Sequence, residues 1–291
     1  MKLCIATCSN LPDWERDDEP FFQALEDAGV AHQLRAWDEP DVDWGQFDAC
    51  LIRTTWDYME RKDEFVRWAQ AVESVTELFN PASVVNWNTD KRYLLDLERA
   101  GVEIAPTIWL EKNNPYDLAK LMQSRGWRHG FLKPTVGASA RETLRFEPAG
   151  YAHAQVFLDR VLARESMMLQ PYLQSVETSG ELSAVYFDGQ FSHSVQKIPV
   201  PGDYRVQDDY GATDFAVEMD AALRAKTEST LMVAQRLLGL EKALLYARVD
   251  YIQLDSGQHV LNELELVEPS LFFRHSPHGA GRLVAALVKR L

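Results

Sequence analysis

The sequence predicts an α/β protein whose later part is α+β. Two observations carry this. Strands and helices alternate over roughly the first 85 residues, and beyond residue 180 strands come in pairs joined by tight turns. A third observation bounds the answer. At 291 residues the chain can hold two or three compact units, and 46% hydrophobic with 25% charged residues is ordinary for a globular protein.

The elements follow in order. KLCIAT (2–7) is a short apolar run suited to a buried strand. ERDDEPFFQALEDAG (15–29) places Phe21, Phe22, Leu25 and Ala28 at helical spacing before a glycine stop. Further strands are expected at 31–37 and 49–52, and an amphipathic helix at 63–75. Together these make a small parallel unit, residues 1–85. Arg53-Thr54-Thr55-Trp56-Asp57-Tyr58 follows the third strand at its carboxyl end, where open α/β sheets place ligands. Arg53, Asp57 and Tyr58 are therefore candidate substrate contacts, the plainer alternative being a capped turn packed by Trp56.

A second unit, 86–170, opens with a helix capped by Asn88 or Thr89, carrying Tyr93, Leu94, Leu97 and Ala100 and stopping at Gly101. Lys91 falls in its first turn, where the helix dipole disfavours a cation. A helix at 115–125 precedes a strand ending in Lys133, the small-residue loop 136–140 and another strand. Small side chains in that loop let backbone amides approach an anion, although the spacing is not that of a Walker loop. A helix at 151–164 leads to MMLQPYL, where Pro171 suggests an edge or connecting segment.

The third unit, 171–291, has a hairpin about Asp188-Gly189 with Lys197 on its second strand. A polar loop (201–215) carries Arg205, and a long helix is expected near 217–239. ARVDYIQL and LNELEL form a second hairpin. A two-residue loop at Ser256-Gly257 sets Asp250 opposite Glu263 and Arg248 opposite Glu265, all on one face. Three carboxylates there could hold a hard cation, or simply form the solvated side of a strand pair. A last helix is expected near 280–291.

Other classes are disfavoured. A net charge of −14 without a basic stripe argues against nucleic acid. MKLCIATCSN lacks the layout of a signal peptide, and no run is long and apolar enough to span a bilayer, so no membrane partner and a cytoplasmic location are expected. Cys4, Cys8 and Cys50 form no disulfide framework. His275 and His278 lack a third ligand and read as loop residues rather than a zinc site.

The motifs TTWDY, NTDKRYLLDLERAG, GELSAVYFDGQFSHSVQK, DYRVQDDYG and NELELVEPSL, in that order, resemble the ATP-grasp superfamily of carboxylate–amine ligases. The likeness is closest to its cycloserine-synthetase-like and glutathione-synthetase-like branch. It implies a parallel pre-ATP-grasp domain followed by two α+β lobes clasping ATP. It also implies roles. Lys91, Lys133 and Lys197 would hold phosphates under a loop including Gly137 and Ser139. Gln170, Tyr172 and Leu173 would meet adenine, and Glu177 or Glu181 ribose. Asp250, Glu263 and Glu265 would hold one or two magnesium ions, manganese being the alternative, with Glu265 standing where the superfamily usually has Asn. Arg248 would stabilise the transferring phosphoryl group. Arg205 would grip the substrate carboxylate, with Ser270 beside it. The implied reaction activates a small amino acid's carboxylate as an acyl phosphate for an amine, by cyclisation or by joining two amino acids. A homodimer is a family-level expectation. The rival readings are a glycoside hydrolase using paired carboxylates and a nucleotide-binding module without catalysis.

Overall fold

The computed structural model describes residues 2–11, 17–137, 140–206 and 210–291. Its first sheet is parallel, in the order β2-β1-β3-β4. It contains β1 (Lys2–Thr7), β2 (Ala31–Ala36), β3 (Ala49–Thr54) and β4 (Glu77–Phe79). All of β3 is buried, as a strand covered on both faces requires. Helix α1 (Glu19–Asp27) buries Phe21 and Leu25, and α2 (Lys62–Glu73) buries Phe65, Val66, Ala69 and Val72 along one stripe. The three-residue β4 is too short to announce itself by periodicity.

Residues 82–101 depart from expectation. Two short helices, α3 (Ala82–Asn88) and α4 (Tyr93–Arg99), replace one. Asn88 ends the first instead of capping the second. Its amide donates to the Leu264 carbonyl at 2.8 Å, and its Oδ1 accepts from the Leu266 N–H at 2.8 Å. Lys91 lies in the turn between the helices, where its N–H donates to the Thr135 carbonyl at 2.7 Å.

An antiparallel sheet, β5-β8-β6-β7, follows. It is built from β5 (Ile108–Leu110), β6 (Gly130–Pro134), β7 (Leu144–Phe146) and β8 (Met167–Pro171), under α5 (Leu118–Arg125) and α6 (Tyr151–Leu162). The MMLQPYL segment is thus an interior strand, not an edge. Pro171 is tolerated because it is the last residue of the strand, where a missing N–H costs least.

After the short α7 (Ser175–Ser179) comes the largest sheet, antiparallel in the order β11-β10-β9-β12-β13. Its strands are β9 (Glu181–Phe187), β10 (Gln190–Ile198), β11 (Thr213–Ala216), β12 (Tyr246–Gln253) and β13 (His259–Glu265), with α8 (Ala221–Leu237) between β11 and β12. Asp188 and Gly189 turn β9 into β10, both at positive φ, as a two-residue hairpin of this hand requires. The end of the segment expected as loop is strand β11, paired to β10 from Val195 to Ile198. The last helix, α9 (Gly279–Arg290), returns to the first unit, where Leu283 and Leu287 join Leu3, Phe21 and Leu25 in one core cluster. Among the described residues no helix is long and apolar enough to cross a membrane.

Candidate active site

One cleft is bounded by the second and third sheets, with Trp56 and Tyr58 reaching it from the segment after β3. Its floor is the β12–β13 hairpin, in which Arg248 faces Glu265 and Asp250 faces Glu263, as expected. The turn is not as expected. Leu254 and Gln258 close a loop one residue longer, the Leu254 N–H donating to the Gln258 carbonyl at 2.8 Å. A bulge between Asp250 and Tyr251 absorbs the difference, leaving Asn262 as the extra residue on β13. Two departures cancel, and the charged set stays on one face.

Cations and carboxylates interleave there. Arg248 spends its fork on the Asp250 carboxylate, the Glu265 carboxylate and the Ser270 carbonyl, the last at 3.0 Å. Asp250 also accepts from the Ser183 hydroxyl at 2.7 Å and lies 3.5 Å from the Lys197 ammonium. Lys197 pairs with Glu181, which accepts from Asn262 as well. Glu263 sits between Lys133 at 3.1 Å and Lys91 at 3.7 Å, and Lys91 donates to the Gly137 carbonyl at 2.7 Å. All these charged side chains, and Asn262, line the cleft, whereas Ser183 lies buried behind it.

Electrostatics follow from this interleaving. Burial opposes ionisation of Asp250 and Glu263, but Arg248 and Lys197 hold the former below the usual carboxylate range, and Lys91 and Lys133 the latter. Glu265 goes the other way. Burial pushes its carboxyl up to about 8 despite Arg248, and Asp250 and Glu263 add to the rise.

At the other end of the cleft are Phe131, Gln170, Tyr172, Leu173 and Tyr204. Gln170 donates to the Thr107 hydroxyl at 2.9 Å. The Phe131 and Tyr204 rings meet edge-on with centroids 5.1 Å apart, so this end of the cleft has aromatic walls. The Tyr172 N–H already donates to the His129 carbonyl, so it cannot also serve a ligand. Arg141 reaches the cleft with a buried Nε that has no partner among the described residues.

Several candidates lie elsewhere. Arg53 is buried away from the cleft, bound bidentately by Asp18 at 2.6 and 3.0 Å and donating to the Pro269 carbonyl at 3.1 Å. It braces the 269–274 segment and is not placed to touch a substrate. Asp57 accepts from the Trp37 indole at 2.7 Å and from Arg61, on the far side from the cleft. Both residues follow the pattern of a strand's carboxyl end, but burial decides which of them can meet a ligand; Tyr58 alone of the three lines the cleft. Glu177 is outside the lining too, held by Arg145 at 2.8 Å and the Tyr172 hydroxyl at 2.5 Å. Arg205 lines the cleft but is tied to Asp203 at 2.6 Å and stacked 3.8 Å over Tyr210. Ser270 contributes its backbone carbonyl. Ser139 lies outside the described residues.

The metal expectation is also qualified. Among the described residues no group of three His, Cys, Asp or Glu side chains is spaced to hold an ion as it stands, because each carboxylate of the hairpin is turned to a Lys or Arg. The donor chemistry nevertheless fits a hard divalent cation. Three oxygen-donor side chains share one face, and Glu265 is crowded enough to favour its proton, a charge that a cation would replace. Phe131, Arg141, Tyr204, Asn262 and Glu268 are cleft residues that escaped the sequence reading. Asn262 is brought in by the bulge, and Glu268 stands in the VEPSL stretch three residues past Glu265.

Relatives of known character resemble the chain throughout. A family profile described as the N-terminal domain of D-cycloserine synthetase DcsG matches residues 3–80. The cycloserine biosynthesis protein DcsG of Streptomyces lavendulae is 33% identical over 284 residues, 94% of each chain. The crystal structure of D-cycloserine synthetase DcsG superposes with a TM-score of 0.91 at 31% identity, covering 100% of this chain and 99% of that one. D-alanine–D-alanine ligase from Bacillus anthracis, complexed with ATP, gives 0.73 at 15% identity, covering 99% and 96%. The ATP-grasp ligase PsnB, complexed with a minimal precursor, Mg and ADP, gives 0.65 at 15%, covering 99% and 97%. At those lower identities the likeness carries the fold.

Proposed function

The chain belongs to the D-cycloserine synthetase (DcsG) family of ATP-dependent ligases with the ATP-grasp fold, and on that premise we propose that it phosphorylates the carboxylate of a small amino acid and closes the acyl phosphate onto an amine of the same molecule. The observation that carries the reading is the cleft floor, where Lys91, Lys133, Lys197 and Arg248 interleave with Asp250, Glu263 and Glu265. In an acidic protein such a concentration of cations serves an anion.

The substrate carboxylate attacks the γ-phosphorus and ADP leaves. The amine then attacks the carbonyl carbon, phosphate departs with one carboxylate oxygen, and the nitrogen loses a proton. Lys91 and Lys133 hold the phosphates, and Lys197 neutralises charge from the opposite wall. Arg248, rigid in its fork of bonds, faces the developing charge of the transferred group. Asp250, Glu263 and Glu265 would hold magnesium, one ion or two, with manganese as substitute. When bound it neutralises phosphate charge. Phe131, Tyr172 and Tyr204 seat the base, and Glu181 is the ribose contact in preference to the outlying Glu177. The lobes 86–170 and 171–291 exclude water from the acyl phosphate between them.

The test is phosphate release from ATP-magnesium across a panel of amino acids, aminooxy analogues and dipeptides, with mass spectrometry of the products. A product lighter than its substrate by one water supports cyclisation. A product joining two amino acids replaces cyclisation with intermolecular ligation, and release of no phosphate across the panel overturns the ligase reading.

A further inference from the structure

We propose that Asn88 and Tyr93 are positioning residues for the metal-holding carboxylates, fixing Glu263 and Glu265 from the outer edge of β13. The inference rests on the ligase reading of the cleft and adds to it two residues that act on the ion through the strand they hold.

Strand β13 is the last of its sheet, so one row of its N–H and C=O groups has no neighbouring strand to pair with. Near the start of β13 backbone meets the need. Leu261 donates to the Glu103 carbonyl and accepts from the Ala105 N–H, both at 2.9 Å. Beside the two carboxylates, side chains meet it instead. The Leu264 N–H donates to the Tyr93 hydroxyl at 2.9 Å. Asn88 spans the next two groups. Its Nδ2 donates to the Leu264 carbonyl and its Oδ1 accepts from the Leu266 N–H, each at 2.8 Å. A side-chain amide offers one donor and one acceptor, as a residue of a neighbouring strand would. Three successive peptide units, 263–264, 264–265 and 265–266, are anchored in this way. They contain both ends of the Glu265 backbone and the carboxyl end of Glu263.

The clamp is itself held. Asn88 ends α3 and Tyr93 opens α4, and the Trp87 indole braces one helix on the other by donating to Asp96 at 3.0 Å. The Tyr93 ring is buried in a core cluster with Leu97, Leu264 and Leu266. Lys91 leaves the same turn, its ammonium 3.7 Å from Glu263 and its N–H on the Thr135 carbonyl just past β6. One turn therefore sets a phosphate-holding lysine, the strand that bears Lys133 and the two carboxylates relative to one another. Groups that orient metal ligands from behind are worth roughly 10–100-fold in metal affinity, because a ligand on a loose edge is misplaced much of the time.

The test is a Mn2+ titration followed by electron paramagnetic resonance on the full chain saturated with a non-hydrolysable ATP analogue. Affinity for the analogue is measured separately without metal. Asn88→Ala removes the amide clamp, and Tyr93→Phe removes one hydroxyl while keeping the buried ring. Mn2+ affinity should fall by about 10-fold or more in Asn88→Ala and by at least about threefold in Tyr93→Phe. Metal-free affinity for the analogue should stay within about twofold of wild type in both, a split that a role confined to folding would not produce. Unchanged Mn2+ affinity in Tyr93→Phe, or an equal loss of Mn2+ and metal-free analogue binding, overturns the proposal, whether or not Asn88→Ala folds. A wild type that takes up no Mn2+ beyond that held by the free analogue overturns the metal assignment of the hairpin, and the proposal with it.

Discussion

At the scale of single residues, the floor of the cleft works by holding opposite charges together until a ligand separates them. Glu263 bridges Lys133 and Lys91 at 3.1 and 3.7 Å. Glu263→Ala would free both lysines, so nucleotide affinity should change by less than ~10-fold. Turnover, which requires the metal-holding carboxylate, should fall by ~100-fold or more; steady-state kinetics and nucleotide titration check the split. Arg248→Lys should cost ~10–100-fold in kcat, because one ammonium cannot span Asp250, Glu265 and the Ser270 carbonyl together. These residues were legible because alternation put them on one face. Arg53 and Asp57 were misjudged for the same reason that makes them conspicuous. Polar residues past a strand's end are equally needed to brace a loop, and only the partners, Asp18 and Trp37, say which job each has. Asn262 could not be placed at all, since a bulge leaves no mark in the pattern of apolar residues.

At the scale of elements, the register of β12 and β13 was right although the turn was wrong, because the bulge restores what the longer loop shifts. Gly180 shows a stricter demand. It joins α7 to β9 at φ +66° and ψ −151°, a region essentially closed to other residues, and a Cβ there would lie 1.9 Å from the Lys197 carbonyl oxygen. Gly180→Ala should therefore push β10 away and misplace both Glu181 and Lys197. A loss of nucleotide affinity of ~10-fold or more, with a lowered melting temperature, is the expected result. Strand β10 also carries His193, whose Nε2–H donates to the Leu271 carbonyl at 2.9 Å. Burial depresses its pKa to about 4 from an ordinary 6.5. The unfolded chain then binds the extra proton between those values, so this group costs stability as pH falls through that window, about 3 kcal/mol by pH 4. Glu265 and Glu268, raised to about 8 and about 7, act in the opposite sense as pH rises. The measurement is thus a difference. Denaturant unfolding of His193→Gln at pH 7 and pH 4.5 should lose less stability on acidification than the wild type, and equal losses would contradict it.

At the scale of the whole molecule, the chain's last helix closes on its first unit. Leu287 is fully buried in the cluster that includes Leu3, Phe21 and Leu25. Leu287→Ala should cost about 2–5 kcal/mol and appear as a lowered melting temperature. Local pattern announced the parallel unit and the hairpins. It could not announce that β8 runs inside its sheet or that β11 joins β10, since those pairings depend on segments distant in sequence. Nor does a net charge of −14 foretell a cleft where cations converge; that arises only when Lys133 of the second sheet, Lys197 and Arg248 of the third, and Lys91 from the turn before α4 are brought together. The central claim is that the γ-phosphoryl group passes to the substrate's own carboxylate. The direct measurement uses a substrate labelled with 18O in both carboxylate oxygens, with mass analysis of the released phosphate. The account predicts one 18O in each phosphate, formed with ADP. Unlabelled phosphate, or AMP with pyrophosphate, would contradict it.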